Sequence, residues 1–217
     1  MAESLNNNFN NLKVHSQYSI CEGAIKIDEL KDIAKTNKIK SLGLCDTTNL
    51  CGALEFAEKI SKAGTQPIIG TQINFKFGDT TGLLPIFALN EIGYKRIIEL
   101  SSISFLKNDE LSDPHLIFDE LFAKEEGIAL FSGTVNGLFG QLFNKGKFTE
   151  IKELYSKLKS KYNDRFYIEI QRHGDENEVG FEKFNLSKSS ELKIPLIATN
   201  EVFYLNKDMH EAHDALI

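Results

Sequence analysis

The stretch Ser41–Gln72, SLGLCDTTNLCGALEFAEKISKAGTQPIIGTQ, constrains the fold more than any other part of the chain. Ser41–Cys45 is a short apolar run without polar alternation, the pattern of a strand buried on both faces. Asp46, Thr47, Thr48 and Asn49 follow as turn-and-cap chemistry. Ala53, Leu54, Phe56, Ala57 and Ile60 recur at helical spacing, with Glu55, Glu58, Lys59 and Lys62 forming a wet face. Gly64 closes that helix, and Pro67-Ile68-Ile69-Gly70 opens the next buried strand. Strand, helix and strand in this order predict a parallel pair. Such units gather their chemistry at the carboxyl end of the first strand, where Asp46 stands.

The alternation continues along the chain. Asn11–His15 is a strand candidate in which Lys13 and His15, two apart, share a face. A loop at Ser19–Gly23 leads to a helix from Ile27 to about Asn37. Ile73–Phe77 prolongs the strand begun at Pro67, Gly78-Asp79 turns the chain, and Leu83–Leu89 is a further strand. Tyr94, Ile97, Ile98 and Ser101 mark a helix, 107–114 a polar excursion, and His115–Lys124 a short helix. Strands at Gly127–Phe131, Arg165–Ile170 and Pro195–Thr199 alternate with helices at Phe148–Tyr162 and Glu178–Leu192. About seven β/α steps predict a parallel β/α barrel, with an open doubly wound sheet as the alternative.

Composition sets limits. With 217 residues the chain can bury a full core as one domain. Its apolar runs are strand-sized, so no membrane span is expected, and MAESLNNNFNN lacks the layout of a signal peptide; the expected compartment is the cytoplasm. The net charge of −6 argues against direct DNA binding by this segment, which would need a basic stripe. The lysines of Phe148–Tyr162 are interspersed with Glu150 and Glu153 and read as a solvated face. Cys21, Cys45 and Cys51 show no CxxC spacing, so neither a disulfide framework nor a cysteine zinc site is expected. His210 and His213 share a helical face, but no cysteine or carboxylate cluster accompanies them, and His115 has no visible partner. The final HDALI is an apolar helical pattern without a cap. The chain is therefore expected to be a piece of a longer protein, with a flexible stretch at 1–10 and a single domain over 11–217.

Several segments taken together resemble one family. Leu12–Ser19 (LKVHSQYS) is similar to an HxHSxYS opening motif. Cys45–Ala53 (CDTTNLCGA) is similar to TDHGNMFGA, and Pro67–Gln72 (PIIGTQ) to PIIGCE. Ala88–Tyr94 (ALNEIGY) resembles LAKNxxGY. Tyr167–Gly174 (YIEIQRHG), Ala198–Leu205 (ATNEVFYL) and the AHDAL at the end resemble YLELQRHG, ATNDVHYL and AHDAL. In order and at this spacing they resemble the PHP (polymerase and histidinol phosphatase) domain, in the form that opens bacterial DNA polymerase III alpha subunits.

The resemblance implies a distorted seven-stranded β/α barrel, TIM-like, truncated after the last strand and part of a C-terminal helix. Its strand ends would form a pocket where histidines and carboxylates hold up to three metal ions for phosphoester hydrolysis. This sequence departs from that donor set. Lys13 stands for the first histidine of HxH, Thr47 for that of TDH, and Gln72 for the glutamate after PIIG. Glu201 replaces the aspartate of the last motif and Phe203 its histidine, so His15 and Asp46 alone keep the family's residues. A lysine on the face of His15 would repel a dication. Two unit charges about 4 Å apart interact by roughly 4 kcal/mol at an effective dielectric of about 20, and a dication roughly doubles this.

The expectation is a vestigial pocket of Lys13, His15, Asp46, Thr47, Gln72, Glu201 and Phe203, rimmed by Arg172 and His173, in which Lys13 pairs with Asp46 or Glu201. No catalytic residue and no cofactor are expected. If zinc or manganese binds at all, His15, Asp46 and Glu201 would hold it. By resemblance the partners are the remainder of a polymerase alpha subunit and the proofreading exonuclease subunit, and the domain is a scaffold and docking module in DNA replication. The alternative is an active metal-dependent phosphoesterase or 3′–5′ exonuclease.

Overall fold

The computed structural model describes residues 9–108 and 112–214, apart from the side chains at 210 and 212. The chain opens with strand β1 (Lys13–Val14), helix α1 (Ile27–Thr36), strand β2 (Ser41–Thr47), helix α2 (Ala53–Lys62) and strand β3 (Gln66–Phe77). Strand β4 (Thr80–Ala88), helix α3 (Glu91–Leu106), strand β5 (Leu116–Ile117), helix α4 (Phe118–Ala123) and strand β6 (Ile128–Phe131) follow. Helices α5 (Leu138–Asn144) and α6 (Phe148–Tyr162), strand β7 (Phe166–Ile170), helix α7 (Glu176–Leu192), strands β8 (Leu196–Ala198) and β9 (Glu201–Val202) and helix α8 (Met209–Asp214) are the remaining elements among the described residues.

The β2–α2–β3 unit forms as its sequence predicts. β2 and β3 pair in parallel, with Asp46 opposite Thr71 and Thr47 opposite Gln72. Gly64 ends the intervening helix at φ +83°, a conformation in which a side chain is strained. Six strands run in the order β2-β3-β4-β6-β7-β8, β5 pairs with β3, and β1 and β9 form a separate parallel pair. The result is a curled α/β sheet with helices packed on its outside, the barrel class that the alternation predicts.

Strict parallelism is not kept. β4 runs antiparallel to both β3 and β6. The cause is the connection: two residues, Gly78 (φ +60°) and Asp79, separate β3 from β4. A parallel return needs a crossover of about a dozen residues or more, so a link this short turns the strand back on itself. The strand expected at Asn11–His15 is reduced to Lys13–Val14, although the Gly43 N–H still donates to Asn11 O at 2.8 Å. A Cβ on Gly43 would lie 2.2 Å from Leu12 O, so only glycine lets the chain cross β2 there. The helix expected at His115–Lys124 begins as β5, because Leu116 and Ile117 pair with Phe75 and Lys76.

Among the described residues three apolar clusters form the core. The largest packs Ile97 and Leu100 of α3, Leu138 and Leu142 of α5 and Tyr155 and Leu158 of α6 on the outer face of the sheet. A second joins α1 and α2 to β2. The third, formed by Cys45, Phe87, Ala129 and Phe131 from β2, β4 and β6, lies between strands rather than under helices. It adjoins the polar residues that the sequence marks as a pocket.

Candidate functional site

Lys13 and Glu201 face each other in the β1–β9 ladder, so their side chains leave on the same face. Lys13 Nζ lies 2.8 Å from Glu201 Oε1 and 3.1 Å from Glu169 Oε1 on β7, and both the Lys13 and Glu169 side chains are buried. Burial draws the Lys13 ammonium toward a lower pKa, but Glu169 and Glu201 outweigh it, and the net direction is upward. For Glu201 burial acts upward, but His15, whose Nε2 lies 3.6 Å from Oε1, and the charge of Lys13 together outweigh it, leaving the carboxyl below its ordinary range. Lys13 is a charged crosslink between β1, β7 and β9. An ammonium held this way is a poor nucleophile and a poor base.

Each carboxylate is supported by further donors. Gln171 Nε2 donates to Glu169 Oε1 at 3.0 Å, and the Thr199 hydroxyl donates to the same oxygen. Gln72 Nε2 donates to Glu201 Oε1 at 2.9 Å and lies 3.4 Å from His15 Nε2. His15 itself is buried and stacks on Phe203 with ring centroids 4.4 Å apart. The positions expected to carry donors thus hold a cation, an amide and an apolar ring, each set against Glu201 or His15.

Asp46 does not pair with Lys13. Its Oδ1 accepts from the Ser16 N–H at 2.6 Å and the Ser19 hydroxyl at 2.8 Å, while Oδ2 accepts from the Ser16 hydroxyl at 2.8 Å. These donors lie on the loop between β1 and α1, and their nearness outcompetes an ammonium already held by two carboxylates. Thr47 donates to Glu22 on the same loop. The His213 ring in α8 bonds Glu22 O, which brings the end of the described chain over the barrel mouth. The side chain of His210 lies outside the described residues.

Arg172 and His173 stand apart from the buried cluster. Both are exposed and tied to α7, Arg172 to Glu182 at 2.6 Å and His173 to Glu178 at 3.0 Å. His173, Glu201 and Phe203 line an open cleft of about 470 Å³. Glu169, Ser16, Ser19 and Glu22 are functional neighbours that sequence reasoning missed. Glu169 left a signal, a lone charge between Ile168 and Ile170 in a strand whose ends are apolar.

These residues do not fit a metal cluster. A cation occupies the place between Glu169 and Glu201, and Asp46 spends its oxygens on the loop. Cys45, pushed well above its ordinary pKa by burial, is a protonated thiol rather than a thiolate donor. Glu169 Oε2 is buried without a hydrogen-bond partner, but one oxygen is not a coordination shell. Among the described residues no three His, Cys, Asp or Glu side chains are grouped so as to hold a metal ion.

The PHP domain model matches residues 11–173, three quarters of the chain. The chain belongs to the PHP domain family. Over its full length this PHP domain is 36% identical to the DNA polymerase III subunit alpha of Caulobacter vibrioides, of which it spans 20%. It is also 36% identical, over 96% of its length, to the alpha subunit of Rickettsia felis, spanning 17% of that protein. The PHP domain thus covers about a fifth of the length of the curated relatives it matches. Among solved structures it resembles a candidate metal-dependent phosphoesterase from Bifidobacterium adolescentis, with TM-score 0.60 and 11% identity over 91% of this chain and 88% of that one. An amidohydrolase from Chromobacterium violaceum gives TM-score 0.58 at 10% identity over 95% of this chain and 96% of that one. Similarity at that level establishes the barrel fold and not the chemistry.

Proposed function

We propose that this PHP domain is part of a bacterial DNA polymerase III alpha subunit and serves there as a metal-free scaffold in DNA replication. On this reading it also docks the proofreading exonuclease subunit, as the family resemblance implies. The observation that carries the metal-free reading is Lys13, whose buried ammonium lies between Glu169 and Glu201 where a metal would need open coordination positions. A pocket that crosslinks three strands with one cation contributes rigidity rather than hydrolysis. The likeness to alpha subunits along the entire chain supports the parent assignment. Among the described residues no helix is long and apolar enough to cross a membrane, in keeping with a cytoplasmic replication protein.

Elemental analysis of protein purified without chelator tests the metal-free reading. The expected result is no zinc, manganese or iron above trace, and a stoichiometric metal would refute it. Titration calorimetry with the cognate exonuclease subunit tests docking, with binding at micromolar concentrations or tighter expected and silence counting against it. Metal-stimulated hydrolysis of a single-stranded oligonucleotide, lost in Asp46→Ala, would replace both readings with the phosphoesterase one.

A further inference from the structure

Helix α3 is apolar on two sides. Its inner face carries Ile97 and Leu100 into the main core. Its outer face from mid-helix to the C-terminal end carries Ile98, Phe105 and Leu106, which are 41%, 52% and 82% exposed. Ile98, Ser102 and Phe105 fall at helical spacings of four and three, so they line one stripe. The polar groups near this stripe have partners. Ser102 Oγ folds back onto the helix, donating to Ile98 O at 2.9 Å, and Ser101 Oγ turns toward Thr48 O at 3.4 Å. The bordering charges are paired as well, Glu99 with Arg96 and Lys124, and Lys107 with Glu120. A face built this way offers little to water.

Isolated exposed apolar residues such as Ile20 are ordinary on a protein surface, but a clustered helical stripe is not. We infer that this outer face of α3 is an intramolecular interface, covered by an apolar surface from the part of the parent alpha chain outside residues 1–217. The inference rests on the alpha-subunit reading above and adds to it the face that is used. Length supports this occupant, since about four fifths of the relatives' chains lie outside the match. Position supports it too. Ser101 touches the residue after β2, and α8, the last described helix, reaches that same end of the barrel through His213, Glu22 and Thr47. With its serines and charges satisfied internally, the stripe suits a permanent apolar contact better than a reversible polar one.

Hydroxyl-radical footprinting of the full-length alpha subunit, without its exonuclease partner, tests the inference. The expected result is that Phe105 and Leu106 oxidise severalfold more slowly in the folded subunit than in the same subunit unfolded in urea. Oxidation at the unfolded rate would overturn it. Protection that develops only after the exonuclease subunit is added would also overturn it and assign the face to that partner. Failure of the alpha-subunit reading itself would register in a separate assay, as a full-length chain that does not extend a primed template.

Discussion

Lys13 Nζ lies 2.8 Å from the Glu201 carboxylate, across a parallel pair in which the two residues are direct partners. The β1–β9 pairing is only two residues long and forms its own sheet. Backbone bonds alone would hold so short a ladder weakly. The ion pair, extended to Glu169 on β7, ties this small sheet to the main one.

Removing the cation should expose the cost of the carboxylates around it. Lys13→Met is expected to lower the unfolding free energy by about 3–5 kcal/mol, because the buried Glu169 and the partly buried Glu201 then lose their counter-ion. Replacing all three together, with Gln at both glutamate positions, should recover most of that loss, since neutral groups carry no desolvated charge. Urea denaturation of the single and triple variants measures both. A single variant as stable as the parent would show that the crosslink is energetically idle.

The Glu201 carboxyl fixes an acid limit. Its pKa is held below the ordinary value of 4.5, as the contacts with His15 and Lys13 overcome the opposing effect of burial. A depressed folded-state pKa gives stability that is complete above the unfolded-state value and is lost as pH falls through the folded one. The stability difference between the parent and Glu201→Gln should therefore be constant from neutral pH to about 4.5 and shrink in stronger acid. Chemical denaturation at a series of pH values reads it. A difference that stays flat down to about pH 3 would contradict the depressed pKa.

Asp46 should behave as a structural acceptor. It takes three hydrogen bonds from Ser16 and Ser19, each to a charged oxygen. Asp46→Ala is expected to cost about 3 kcal/mol or more, given about 1.5–3 kcal/mol for each bond to a charged group and incomplete additivity. Protease cleavage within 16–24 should accelerate in step. Unchanged stability and unchanged cleavage would show that these three hydrogen bonds do not hold the loop.

Legibility varied with the range of the interaction. The shared face of Lys13 and His15 follows from strand alternation, and both residues converge on Glu201. Of the two partners open to Lys13, Glu201 takes the ammonium and Asp46 does not, because the loop brings three neutral donors closer to Asp46. The lone charge of Glu169 in an apolar strand marks it as unusual, but its partner Lys13 lies 156 residues away, a separation that local spacing does not bridge. The reversal at β4 was written in the two residues Gly78-Asp79, but the β/α rhythm on either side masked it.

By itself the sequence determined the β2–α2–β3 unit, most of the longer strands and helices, and the family, because these depend on local spacing and on side chains that must face inward together. Only the tertiary structure decided which carboxylates hold Lys13, that β4 runs against its neighbours, and that an apolar stripe of α3 faces outward. Those outcomes are competitions among groups far apart in the chain, settled by which of them the folded backbone brings within about 3 Å of one another.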